Sequence, residues 1–360
     1  MPNYIISPTS FLIVFAVAIF MSLFFNNFLV KRSSKILIKK ANAQAVRFSS
    51  QTKSILGGVG LFALFIMIMI YGFFTVPHDC FASKNIALLI AVIISFAMGL
   101  ADDTLNTSPF FKFIVQVIVA AIFIVSDIYI VISPYTWLNY MITVFWIVGI
   151  MNSINMIDNM DAIASSICLS IFGGIACYTF LFGNGYGIDN LFDVWILFIL
   201  IAGLIGFLFY NRPPAKMYLG DNGSQFLGVM LAYFGIIFFW KPIHTDNQYA
   251  YNTLQFLIVI LAFIVPLCDT TTVTINRLLK GKSPFVGDKN HTNHHLFYLG
   301  IPVKWIGIFI FCLNSIGVIL ALYLIHNQQN IDYSNIWIIV TFPIITFLFL
   351  YLNTKLTKEK

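Results

Sequence analysis

Eleven apolar runs, each close to the ~20 residues needed to cross the hydrocarbon core of a bilayer, account for most of this 360-residue chain. They lie at approximately 9–30, 54–75, 84–101, 110–127, 136–153, 162–183, 191–210, 223–240, 252–274, 304–326 and 335–353. Such a chain has little choice of fold. Lipid offers the backbone no hydrogen-bond partners, so each crossing must satisfy itself, and runs of this length do so as α-helices. The short alternating segments of a membrane barrel are absent from the sequence. Hydrophobic residues make up 59% and charged residues 9%, so no water-soluble domain is left over. The expectation is one all-α, polytopic integral-membrane domain over residues 1–360. The first run is longer than a signal-peptide core and no basic residue precedes it, which predicts a retained helix.

The basic residues fix an orientation. Of the 20 Lys and Arg, only Lys84 and Lys241 fall on one side of the predicted membrane, which leaves 18 on the other. The positive-inside rule makes the crowded side cytoplasmic. Eleven spans then put the N-terminus outside and the C-terminus in the cytoplasm. The net charge of +6 belongs to this topology and to anionic headgroups, not to nucleic acid. The five cysteines form no CxxC pair and no disulfide framework.

Polar clusters occupy the same side. Asp102 and Asp103 end the third run and Lys112 opens the fourth. The next cytoplasmic connection carries Asn152, Asn155, Asp158, Asn159 and Asp161, and the one after it Asn211, Tyr218, Asp221 and Ser224. The last holds Asp288, Lys289, His291, His294 and His295, while the first is basic through Lys53. Acids number eight inside and six outside, so clustering rather than count separates the two faces.

Charge at membrane depth is costly unless paired, hydrated or metal-bound. Carboxylates and asparagines without thiolates favour a hard cation, Mg²⁺ or Mn²⁺, over zinc. Asp158 and Asp161 share a face with Asn152 and Asn155 if that stretch is helical. Adjacent Asp102 and Asp103 should point in different directions. Gly220 and Gly223 flank Asp221 at the start of a helix whose N-terminus could favour phosphate oxygens. The blander readings are a polar stripe gluing two spans, an ordinary helix cap at Asp221, and a wet histidine loop. Asp269, late in its run, is expected to pair with Arg277.

Taken in order, Asp102-Asp103, the NxxNxxDNxD stretch at 152–161, GDNGS at 220–224 and the histidines after Ser283-Pro284-Phe285 resemble the polyprenyl-phosphate N-acetylhexosamine-1-phosphate transferase family. The likeness runs through nearly the whole chain. It implies attack by a lipid-phosphate oxygen on the β-phosphorus of a UDP-N-acetylhexosamine, with undecaprenyl phosphate as acceptor and UMP released. Carried across, Asp221 and Asp158 would bind Mg²⁺ (or Mn²⁺), and Asp102, with Asp103 beside it, would deprotonate the lipid phosphate. Asn211 and Asn155 would contact the nucleotide, Tyr218 would stack on uracil, and Lys53 and Lys112 would hold phosphates. Asp161 and His291 would join the substrate set, and His294 and His295 the catalytic one.

Two departures stand out: an extra residue between His291 and His294, and Asn159 and Ala162 where glycines are common. The SPFVGDKNH stretch is similar to the UDP-GlcNAc branch that starts O-antigen, common-antigen or teichoic acid linkage units. The peptidoglycan branch, acting on UDP-MurNAc-pentapeptide, is the near alternative. From another class, a secondary transporter of an anionic solute would place its charges at the bilayer midplane, often in inverted repeats; none is visible here. The resemblance further implies a bacterial inner-membrane location and a possible homodimer.

Overall fold

Each of the eleven apolar runs becomes helix, because nothing else satisfies a backbone in lipid. The computed structural model describes residues 8–36, 54–75, 83–182, 188, 190–241, 248–283, 290–328 and 336–357, side chains at 8–11, 33–36, 75 and 248–252 excepted. In chain order the helices are α1 (Pro8–Ile36), α2 (Gly57–Thr75), α3 (Ser83–Leu105), α4 (Pro109–Val125), α5 (Thr136–Ile157), α6 (Ile163–Phe182) and α7 (Leu191–Asn211). Then come α8 (Gly220–Phe234), a π-helical turn (Gly235–Phe239), α9 (Gln248–Ala262), α10 (Ile264–Leu279), α11 (Thr292–Tyr298), α12 (Val303–His326) and α13 (Ile336–Leu356). Nine stretches are long and apolar enough to cross a bilayer among the described residues. The chain is an all-α, multi-pass membrane protein.

Two runs depart from a straight span. The fourth yields α4, only 17 residues long, begun by a Ser108 cap that accepts from Phe111 N–H and by Pro109 in its first turn. The run 252–274 breaks at Phe263, where α9 and α10 meet at 87°. Pro266 explains the break. It has no N–H to give to the carbonyl of Ala262, and its ring crowds that carbonyl. Asn314 of α12 covers both sides of the gap: its Nδ2 donates to Ala262 O at 3.4 Å, and its Oδ1 accepts from Val265 N–H at 3.3 Å.

The bundle is organised around α8. Of its membrane-length stretch 94% is buried, against 22% for α1 and 17% for α13. Helices α2, α3, α5 and α6 surround it. Small residues permit this closeness. A Cβ placed on Gly99 of α3 would lie 2.3 Å from the carbonyl oxygen of Asp221, and one on Gly58 of α2 would lie 2.3 Å from the Gly223 backbone. The N-terminus of α8 is thereby pressed against the C-terminal end of α3 and the start of α2. Residues 54–58 run beside 217–219, with Tyr218 N–H donating to Ser54 O at 2.8 Å and Gly57 N–H to Tyr218 O at 3.1 Å.

Candidate active site

The predicted polar clusters come together where α3 and α5 end and α4 and α8 begin. Lys112, on the first turn of α4, is ion-paired with Asp102 of α3 and lies 3.4 Å from the Asp221 carboxylate of α8. Asp102 is oriented from its other side by Thr107, whose N–H and hydroxyl donate to Oδ1 at 2.8 and 2.7 Å. Two carboxylates thus face one ammonium, more than a hundred residues apart in sequence. Asn155 of α5 adds an amide to the same end, its Nδ2 donating to Ser224 Oγ at 2.8 Å. Asp158 follows one turn later as the C-terminal cap of α5. Behind them Gln116 bridges α4 to α5 and α8, through Asn152 (2.7 Å) and Gln225 (3.3 Å).

Asp103 does point in a different direction from Asp102, and to a different task. Its carboxylate accepts the backbone N–H groups of Asp221 at 3.1 Å and Asn222 at 2.9 Å, and the Asn222 amide as well. The start of α8, expected to face phosphate, is therefore already occupied by a side chain from α3. Nor is Asp221 a helix cap. Its carboxylate turns to Lys112, while Asp103 meets the orphan amides of that first turn.

Other sequence expectations are corrected. The stripe from Asn152 to Asp161 is not one helical face, since α5 stops at Ile157 and Asp161 lies in the turn beyond. Asp161 Oδ2 accepts from Ala215 N–H at 2.8 Å, which pins the loop after α7. Asn211 is buried and bonded at both ends of its amide: Oδ1 accepts from Ala162 N–H (3.0 Å) and Ser165 Oγ (3.3 Å), and Nδ2 donates to Met217 O (3.0 Å). These bonds brace the scaffold.

Asp269 takes His291 and Thr292, not Arg277, as its partners. Its Oδ2 lies 2.8 Å from His291 Nδ1, and its Oδ1 accepts the Thr292 N–H and hydroxyl at 2.8 and 2.6 Å. The signal was in the sequence, because a carboxylate inside a span must find a partner. The ring of His294 stands 5.6 Å from that of His291. Asn293 ties this short helix to the α5–α6 turn by donating to Asn159 Oδ1 at 2.7 Å. His295 Nδ1 meets Thr357 Oγ1 at 2.6 Å, beyond the end of α13. Tyr218 is half-buried beside the start of α2. Lys53, together with Asp288 and Lys289, lies outside the described residues.

Ala162, where a glycine was noted as common, adopts φ +66°. A left-handed backbone costs an L-residue roughly 1–2 kcal/mol, and the Asn211 bond to its N–H holds it there. Ala162→Gly should therefore raise the thermal unfolding midpoint in detergent, by the equivalent of about 1 kcal/mol once the added chain entropy is deducted.

The donor chemistry suits a hard cation. Among the described residues no three His, Cys, Asp or Glu side chains form a closed metal cage. Mg²⁺ commonly takes one or two protein carboxylates and completes its shell with substrate phosphates and water. Asp221, with Asp158 from the end of α5, could supply the protein carboxylates of such a shell.

Residues 85–239, from α3 through the π-helical turn, match glycosyl transferase family 4. Over that segment the chain is similar to the family. Similar proteins include a probable undecaprenyl-phosphate N-acetylglucosaminyl 1-phosphate transferase of Bacillus subtilis, 29% identical over 76% of this chain and 74% of the relative. A decaprenyl-phosphate N-acetylglucosaminephosphotransferase of Mycolicibacterium smegmatis is 28% identical over 62% of this chain and 61% of its own length. A phospho-N-acetylmuramoyl-pentapeptide-transferase of Listeria welshimeri is 26% identical over 82% and 91%. The matched segment contains the carboxylates Asp102, Asp103, Asp158 and Asp221 and the ammonium of Lys112.

Proposed function

We propose that this protein transfers N-acetylglucosamine 1-phosphate from UDP-GlcNAc to undecaprenyl phosphate at the cytoplasmic face of a bacterial inner membrane. An oxygen of the lipid phosphate forms a bond to the β-phosphorus of the donor. The bond from that phosphorus to the bridging oxygen breaks, and UMP leaves with the electron pair. The product is a polyprenyl-pyrophosphoryl sugar, a starting unit for a cell-envelope polysaccharide. The observation carrying this reading is Lys112 set between Asp102 and Asp221. It gives a phosphate-binding cation and two carboxylates at helix ends, where a water-borne nucleotide and a lipid headgroup can meet. The names of the relatives supply the donor and acceptor classes.

Asp221 with Asp158 would hold one Mg²⁺, for which Mn²⁺ can substitute. When bound, that ion supplies charge neutralisation for the pyrophosphate and the departing UMP. Lys112 holds a phosphate, and Asp102, oriented by Thr107, takes the proton from the lipid phosphate. Asp103 positions the first turn of α8. Asn155 and Tyr218 serve the nucleotide side, Lys53 joins Lys112 in holding phosphates, and His291 and His294 serve the sugar–phosphate side.

A donor panel tests the reading. Purified protein with undecaprenyl phosphate is offered UDP-GlcNAc, UDP-GalNAc and UDP-MurNAc-pentapeptide, and UMP is measured. UDP-GlcNAc should turn over at least about tenfold faster than the others, the scale of one or two specific pocket contacts. A preference for the pentapeptide donor would move the chain to the peptidoglycan branch. No turnover with any donor, alongside solute uptake into proteoliposomes, would favour a transporter.

A further inference from the structure

A feature of opposite charge lies at the C-terminal end of α7. Arg212, Lys216 and Lys304 line one open cleft with Phe209, Pro213 and Pro214. The three cations come from the loop after α7 and from the first turn of α12, so the fold, not local sequence, groups them. Among the described residues none of them is ion-paired with a carboxylate. Asp161, the acid that touches this loop, is engaged by Ala215 N–H.

Aromatic side chains set the depth. The Arg212 guanidinium sits 4.6 Å from the ring of Phe209, and the Lys304 ammonium 5.7 Å from that of Trp305. Phe209 is 48% exposed and Trp305 57% exposed, on helices long and apolar enough to cross a bilayer. Exposed aromatics carrying cations at helix ends mark the headgroup layer.

We infer that this cleft binds the phosphodiester of an acidic phospholipid headgroup, at a site separate from the transfer centre. Three cations around one opening match a phosphate oxyanion, and the flanking exposed aromatics match the glycerol and acyl region below it. Basic pockets between helices on the cytoplasmic side are a recognised way to hold such lipids. Inorganic phosphate offers the same oxyanion without the acyl chains, so the test must separate the two. The segment bearing Arg212 and Lys216 also bears Asn211 and Tyr218, so an occupied cleft steadies the loop that leads into α8.

The test uses the full chain in nanodiscs of phosphatidylcholine containing phosphatidylglycerol. Detergent release and native mass spectrometry then count the phosphatidylglycerol retained. The variant R212Q/K216Q/K304Q should retain less by about tenfold or more, given ~1 kcal/mol for each basic group near an anionic surface. A control of equal charge loss, K280Q/K282Q/K355Q, should retain it as the unaltered protein does. Lys304→Gln alone, an exposed change on α12, should lower retention if the triple variant folds poorly. Millimolar inorganic phosphate should not displace the lipid. Equal losses in the triple variant and its control would reduce the cleft to bulk surface charge and overturn the site. So would unchanged retention in both cation-removal variants, or full displacement by phosphate. Each readout is binding, so failure here leaves the transfer reaction untouched.

Discussion

Asp221→Asn is expected to lower UMP release by about a thousandfold or more, the scale seen when a group stabilising transition-state charge is removed, while the protein stays folded. The side chain keeps its size, and the Asp221 contact that holds α8 uses the main-chain N–H, donated to Asp103 at 3.1 Å. What is lost is one of two carboxylates facing Lys112 and the oxygen pair assigned to the metal. The thermal unfolding midpoint should therefore stay near that of the unaltered protein. Asp103→Asn should behave differently. Its oxygens accept two backbone N–H groups from α8, so a neutral amide weakens charge-assisted bonds, and stability should fall together with activity. Measuring both quantities for both variants separates the charge at the reacting centre from the brace behind it. Full turnover by Asp221→Asn would remove Asp221 from the chemistry.

Gly99→Val is expected to damage the molecule where α3 packs on α8. The added Cβ would meet Asp221 O at 2.3 Å, the Asp221 carbonyl carbon at 2.6 Å and Asn222 Cα at 2.6 Å. All three are backbone atoms of the most buried helix, so no side chain can rotate away. Overpacking costs about 1–3 kcal/mol where neighbours can shift, and more where they cannot. Relief would require α3 and α8 to separate, which also pulls Asp103 from the start of α8. Both folded yield and UMP release should fall. Gly307→Ala is the matched control, because nothing lies within 4 Å of a Cβ at that position. Its unfolding midpoint in detergent should not drop. Equal midpoints for Gly99→Val and the unaltered protein would mean that α3 and α8 do not pack as described.

The sequence makes the large-scale architecture legible because length in apolar residues is a direct physical requirement of a bilayer. All eleven runs house helices, and Pro266 within the ninth was visible before its 87° bend. The acid-rich connections were legible for the same reason: unpaired charge at membrane depth needs a purpose. Partnership was harder to read. The sequence offers Asn211 for a nucleotide but not the scaffold bonds that folding gives it to Ala162, Ser165 and Met217. Asp269 was assigned to Arg277, eight positions on, whereas folding brings His291 and Thr292 to it. Asp103 and Asp102 are adjacent letters with separate duties, fixed by which neighbouring helix each side chain meets. The cleft at Arg212, Lys216 and Lys304 was visible only as topology charge, since no local spacing links α7 to α12.

The central claim is that the phosphorus atom travels with the sugar. UDP-GlcNAc labelled with ³²P at the β-position, incubated with purified protein, Mg²⁺ and undecaprenyl phosphate, tests it directly. The label should pass into the lipid-soluble product in equal measure with UMP formed. Label left in the aqueous phase as UDP, with the sugar alone on the lipid, would contradict the account.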